Sequence, residues 1–193
     1  MTVVVDTPSG PRSGSSVTEV KLIQFRKGTL SSSAYTTKVK GEAVAVEMPG
    51  GRTLFALLAS AANPDLGPEN FAPCGYDTHS PTAMDELRTL QAEREPVELP
   101  AKCYPMLVTY RDARDPTSVE ILDPSTLSTS FGEGTFLRSI TLEITSDDLT
   151  SGISKRMPPF GEKTGYAAWA RQLPWSDPRV HIGPEHFLRN GKY

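Results

Sequence analysis

The chain has 193 residues, 37% of them hydrophobic, with a formal net charge of −3. That is enough apolar material for one ordinary domain with a real core, which excludes disorder throughout. The net negative charge speaks against bulk attraction to nucleic acid, and no stretch reaches the roughly 20 apolar residues a membrane-spanning helix needs.

Residues 2–7 and 15–25 alternate in the manner of strands and are joined by the turn-rich run PSGPRSG. GTLSSS at 28–33 is a second loop. Residues 34–48 read as one strand with Val44, Val46 and Met48 on one face. Pro49-Gly50-Gly51 is a turn, after which residues 53–58 (TLFALL) return as a buried strand. These four strands are expected to form an antiparallel meander. Residues 60–80 are irregular. Ser80 as N-cap and Pro81 at the first helical position open the one longer helix expected in the chain. Met84, Leu87 and Leu90 give it a narrow apolar stripe, and it ends before Pro96.

Residues 104–111 form the next expected strand, with Met106, Val108 and Tyr110 on one face; Asp115-Pro116-Thr117 is a turn, and 118–122 is a short strand. Asp123 caps a helical turn opened by Pro124 and closed by Gly132. Residues 136–145 alternate cleanly, with Ile140, Leu142 and Ile144 inward and Ser139, Thr141, Glu143 and Thr145 wet. Another short helix is expected from Ser146 or Asp148. From Met157 the character changes: the tail holds both Trp and six of the fifteen aromatics, with five Pro. Tyr166, Trp169, Ala170 and Leu173 share one face of a short helix. So aromatic a tail is expected to pack as an arm, on the domain or on a partner.

Charge is unevenly spread. Residues 1–40 carry a net +4, residues 41–150 a net −11 and residues 151–193 a net +4. Either the basic ends dock on the acidic middle, or these are solvated surface charges. The two cysteines, Cys74 and Cys103, fit one disulfide or two free thiols; two thiols alone cannot complete a zinc site. Met1 leads directly into strand-like sequence without a signal peptide. That beginning fits a cytoplasmic protein, or one whose upstream export or anchor segment was removed, leaving a periplasmic or membrane-anchored domain.

Catalytic patterns are weak. His181 and His186 in HIGPEH are separated by five residues and by a Gly-Pro break, not placed at i, i+4 on one helix. No metal or other cofactor is expected. There is no G-x-S-x-G elbow. Cys74, five residues before His79, is the better thiol-nucleophile candidate, and a disulfide or buried thiol is its plainer role. Gly132-Glu133-Gly134 leads into a strand and lacks the Lys of a phosphate loop. The acidic pairs Asp112/Asp115, Asp147/Asp148 and Asp85/Glu86 sit where carboxylates stabilise turns and helix starts.

The stretches SGSSVTEV, KGEAVAVEMPGGRTLFALL, YPMLVTYRDARDPTSVEILDP and FGEGTFLRSITLEITSDDLTSGI resemble an uncharacterised family of proteobacterial proteins. Its members often begin with a hydrophobic anchor or lipoprotein-like leader. The resemblance covers about residues 1–156 and carries no activity and no site.

The expected fold is α+β: a β-rich single domain over residues 1–156, with a largely antiparallel sheet of about seven strands, one longer helix, short helices, and a C-terminal aromatic arm over 157–193. The expected function is a non-enzymatic binding or accessory protein, envelope-associated, acting through protein–protein contacts as an immunity protein, inhibitor or assembly subunit. A protein partner or self-association is expected, with Tyr166, Trp169 and Trp175 as contact residues, and neither nucleic acid nor a membrane span. The alternatives are a small hydrolase-like enzyme around Cys74 and His79, or a small-ligand binder.

Overall fold

A strand that lacks polar alternation has to be buried on both faces, and the runs TLFALLAS and PMLVTY both have this character. The computed structural model describes residues 1–24, 35–61, 85, 88, 89, 92 and 95–190. In it these runs are β6 (Thr53–Ser60) and β8 (Pro105–Tyr110), neighbours at the centre of a four-stranded sheet. Its edges are β5 (Val44–Glu47), next to β6, and β9 (Val119–Ile121), next to β8; all three pairings are antiparallel. Every residue of β8 is buried, as are all of β6 but its two ends.

One face of this central sheet packs on a second antiparallel sheet. That sheet contains β1 (Thr2–Asp6), β2 (Arg12–Ser15), β7 (Val97–Glu98) and β10 (Phe136–Leu142), in the order β2-β1-β10-β7. Val3, Val5 and Ile140 meet Val44, Val46, Leu54 and Leu107 in one apolar cluster. Burying each such aliphatic side chain is worth about 1.5–3 kcal/mol. A bulge between Val4 and Val5 leaves Arg138 out of the ladder register. Leu137 and Ile140, three apart, can therefore both reach the core. The Arg138 guanidinium pairs instead with Asp6, its Nε lying 2.9 Å from the carboxylate. Arg52 ties β9 to the short helix Leu127–Phe131: it donates to Glu120 at 2.5 Å and to the Ser130 carbonyl at 2.7 Å, and lies over the Phe131 ring.

A third antiparallel sheet, ordered β11-β4-β3, comprises β3 (Glu19–Gln24), β4 (Tyr35–Glu42) and β11 (Leu188–Asn190). The stretch predicted as one strand over 34–48 is thus two strands in two sheets. Gly41 takes φ +137°, against the backbone and side chain of Thr18, and the Ala43 N–H donates to the Phe187 carbonyl at 2.8 Å. The four-strand meander is also corrected: β1 lies between β2 and the distant β10, so the first strands divide among three sheets. The described residues hold eleven strands, not about seven.

Three predicted helices need comment. Asp123 does hold its turn, accepting from the Ser125 N–H at 2.8 Å, but the helix begins only at Leu127; Gly132 ends it at φ +96°. No helix starts at Ser146 or Asp148; a 3₁₀ turn at Ile153–Lys155 follows and buries Ile153. Most of the longer helix predicted after Ser80 lies outside the described residues, of which Asp85, Arg88, Thr89 and Ala92 are helical. The described residues thus form a β-dominated unit, and no helix among them is long and apolar enough to cross a membrane.

The two packed sheets approach each other closely where β2 crosses β5. A Cβ built on Gly14 would lie well inside contact distance of the Ala45 carbonyl oxygen. Gly14→Val should therefore push the sheets apart and cost about 1–3 kcal/mol or more. A urea unfolding midpoint unchanged from wild type would show that this approach is looser than described.

Candidate functional site

The second face of the central sheet presents Phe55, Leu57 and Ala59 from β6 and Met106, Val108 and Tyr110 from β8. Left bare it would expose a large apolar surface to water. The C-terminal stretch covers it, with Ile153, Ile182 and Phe187 buried and Met157, Phe160, Trp169 and Leu188 packed around them. Phe187 is central. Its ring meets Phe55 edge to face, with centroids 5.2 Å apart, and lies 6.2 Å from Tyr110.

From Phe187 the aromatic contacts run outward. Phe160 is 5.6 Å away, Tyr166 stands edge-on to Phe160 at 5.1 Å, and Trp169 is 5.3 Å from Tyr166. The Arg179 guanidinium lies 5.7 Å over Trp169, a cation–π contact of modest strength at such a site. Pairs in these geometries add about 0.5–1.5 kcal/mol beyond their burial.

The turns between these rings are fixed locally. Asp177 precedes Pro178 and accepts from the Arg179 N–H at 3.0 Å and its Nε at 2.9 Å. The Tyr166 hydroxyl donates to the Arg179 carbonyl at 2.8 Å. In the turn Pro184–His186, the His186 Nδ1 accepts from the Gly183 N–H at 3.0 Å. Farther upstream, the buried Glu42 carboxylate accepts from the Ile153 N–H at 2.9 Å.

The electrostatics follow from burial. Burial pushes the Tyr110 phenol far above its ordinary range, helped by Tyr166. The Tyr166 phenol is raised first by burial and then by Glu185. Both therefore stay neutral at physiological pH and offer no phenolate base. The Arg179 hydrogen bond holds the Asp177 carboxyl below its usual range. The Tyr110 hydroxyl is buried without a described hydrogen-bond partner.

The three residues expected to contact a partner are placed differently. Tyr166 and Trp169 are half-buried within the arm's own packing. Trp175 is 79% exposed. Its ring meets His181 edge to face at 4.7 Å, and the His181 Nε2 lies 3.1 Å from the Trp175 carbonyl oxygen.

The remaining candidates sort into structural duties. His181 braces Trp175, whereas His186 is buried in a separate turn. No group of three or more His, Cys, Asp or Glu among the described residues could hold a metal ion. Asp112 accepts from the Arg114 N–H and Asp115 from the Thr117 N–H, both turn contacts. Cys103 is disulfide-bonded; Cys74 and His79 lie outside the described residues. Of the expected docking of basic ends on the acidic middle, the described tail shows an exposed Arg156–Glu47 pair at 3.6 Å. Such a pair is worth at most about 1 kcal/mol; apolar contact holds the arm.

Sequence reasoning passed over Phe187 and Glu42, and weighed His186 only as a poorly placed metal ligand. A faint signal existed for Phe187, an apolar residue immediately before a short strand. None existed for Glu42, whose partner is a backbone N–H in sequence far downstream. Comparison with family models, curated proteins and solved structures returns no match.

Phe187→Ala should remove the centre of this cover and cost about 3–5 kcal/mol, read as a lowered urea midpoint with loss of near-ultraviolet circular dichroism. Cys103→Ser should cost about 2–4 kcal/mol on the same assay. Addition of reductant to the wild type should reproduce that loss.

Proposed function

We propose that this protein is a non-enzymatic binding or accessory protein that works through protein–protein contacts, as an immunity protein, inhibitor or assembly subunit. One observation carries the reading. In an arm whose other described aromatics fold back onto the domain, Trp175 alone of them is turned fully outward and is held there by His181. A large aromatic fixed before contact loses little entropy on binding, and Trp is the residue type most enriched among residues that dominate interface energy.

Association with an oxidising compartment, such as a bacterial envelope, belongs to the same proposal. The disulfide at Cys103 supports it, because disulfides persist in such compartments and are rare in the cytosol. Cys74 is the chain's other cysteine, so the proposal pairs the two. That pairing would remove the thiolate required by the alternative reading, a hydrolase built on Cys74 and His79. Peptide mapping without reductant should recover the Cys74 and Cys103 peptides as one linked species. Separate peptides, with Cys74 open to alkylation, would revive the thiol enzyme.

The contact role is tested at Trp175 itself. Trp175→Ala should change stability by less than about 0.5 kcal/mol, as for other exposed positions. A photo-cross-linking residue at 175, expressed in the native host, should yield one discrete adduct absent from the same residue placed at exposed Glu133. Matching adduct patterns at the two sites would overturn the reading.

A further inference from the structure

We propose that the Trp175 tip of one copy of this chain docks on the acidic end of the β7–β10 pair of a second copy, head to tail. This rests on the reading of Trp175 as a contact residue and names its partner. The charge asymmetry of the sequence is the starting point: residues 41–150 are net −11 and residues 151–193 net +4.

The donor side is built around Trp175, which is largely exposed and braced by His181. Pro174 beside it is exposed, as is Arg171 four residues earlier. Four residues span at most about 14 Å. The chain here is folded more tightly than that, with the Leu173 N–H donating to the Ala170 carbonyl at 3.1 Å and the Asp177 N–H to the Pro174 carbonyl at 2.9 Å. An indole and a guanidinium thus share one small patch. Arg179 is engaged by Asp177; Arg171 is in no described ion pair.

The acceptor side comes from two stretches far apart in sequence. Pairing of β7 with β10 sets Val97 opposite Leu142 and Glu98 opposite Thr141. Glu95 and Pro96 lead into Val97, and Glu143 and Ile144 follow Leu142. Two exposed aliphatic side chains, Val97 at 57% and Ile144 at 41%, therefore sit among the exposed carboxylates of Glu95, Glu98 and Glu143. Glu143 also faces the Met1 ammonium, which leaves Glu95 and Glu98 as the main source of negative charge. An apolar floor ringed by carboxylates matches an indole beside a guanidinium in both shape of contact and sign of charge.

The fold keeps the two patches of one chain apart. β7 and β10 belong to the sheet on one face of the central sheet, and the arm that carries Trp175 covers the other face. Packed layers lie about 10 Å apart, so the central sheet stands between the tip and the acceptor of its own chain. The tip meets the acceptor of another copy instead. Donor and acceptor are different surfaces, so the contact is heterologous and each end of a pair keeps one half unused. Association grows with concentration and weakens with salt, as the attraction between Arg171 and the carboxylates is screened.

Sedimentation velocity on the full chain tests this. The weight-average mass should rise between about 10 µM and about 1 mM, a range that captures weak contacts. Trp175→Ala and Val97→Asp should each weaken association about tenfold or more. Mixed in equal amounts, the two variants should form a dimer containing one of each and nothing larger. The intact tip of Val97→Asp then meets the intact acceptor of Trp175→Ala, and both remaining halves are spoiled. Wild type that stays monomeric throughout, or a mixture that pairs no better than either variant alone, overturns the proposal. Should Val97→Asp lower the urea midpoint, Glu98→Arg replaces it with the same expectation. The contact reading of Trp175 is judged separately by the cross-link at 175. An adduct with a different protein leaves that reading standing and overturns the second copy as partner, whereas matching adducts at 175 and 133 remove both.

Discussion

The rest of the structure depends on a sheet with two apolar faces. β6 and β8 bury consecutive residues rather than alternate ones, so each face needs its own cover. The β2-β1-β10-β7 sheet covers one through aliphatic side chains from β1 and β10. The other is closed, among the described residues, by an irregular arm built from 3₁₀ turns, a five-residue helix and β11. An irregular segment has no ladder to satisfy its backbone, so its polar groups must be matched one at a time. Glu42 receives the Ile153 N–H, Phe187 receives the Ala43 N–H, and His186 receives the Gly183 N–H.

This division of labour gives the arm a character unlike that of the two packed sheets. Its aromatic residues meet in edge-to-face contacts, and its turns are held by side-chain bonds. Such segments belong to the low-stability end of a fold and open before the strands do. The proposed contact role of Trp175 draws on this, because it uses a part of the arm that the core does not need.

Several elements were legible in the sequence because their signal is local. The alternation read over 136–145 places Ile140 in the core, although the strand ends at Leu142 and Ile144 is exposed, and TLFALL is buried as its lack of polar residues implies. Val44, Val46 and Met48 do share one core. The errors have physical reasons. Residues 34–48 look continuous because a β-branched run carries no mark of a change of sheet; that change comes from Gly41 and from a hydrogen bond to Phe187, far along the chain. The wet start at Asp148 resembles a helix cap, yet Ile153 is claimed by the second core and Glu42 takes its N–H. Within the aromatic tail, composition announced packing but could not say which ring faces inward. Tyr166 and Trp169 are drawn in by Phe160, and Trp175 is not.

The amino-acid sequence by itself determined the strand-rich character, the doubly buried central strands and the presence of an aromatic arm, because hydrophobic periodicity, turn residues and composition are properties of neighbours along the chain. Only the tertiary structure decided how the strands divide among three sheets and that Phe187 closes the second core. Those outcomes rest on contacts between residues distant in sequence, such as Ala43 with Phe187 and Glu42 with Ile153. No local pattern encodes such contacts, since each partner taken alone looks like an ordinary strand or loop residue.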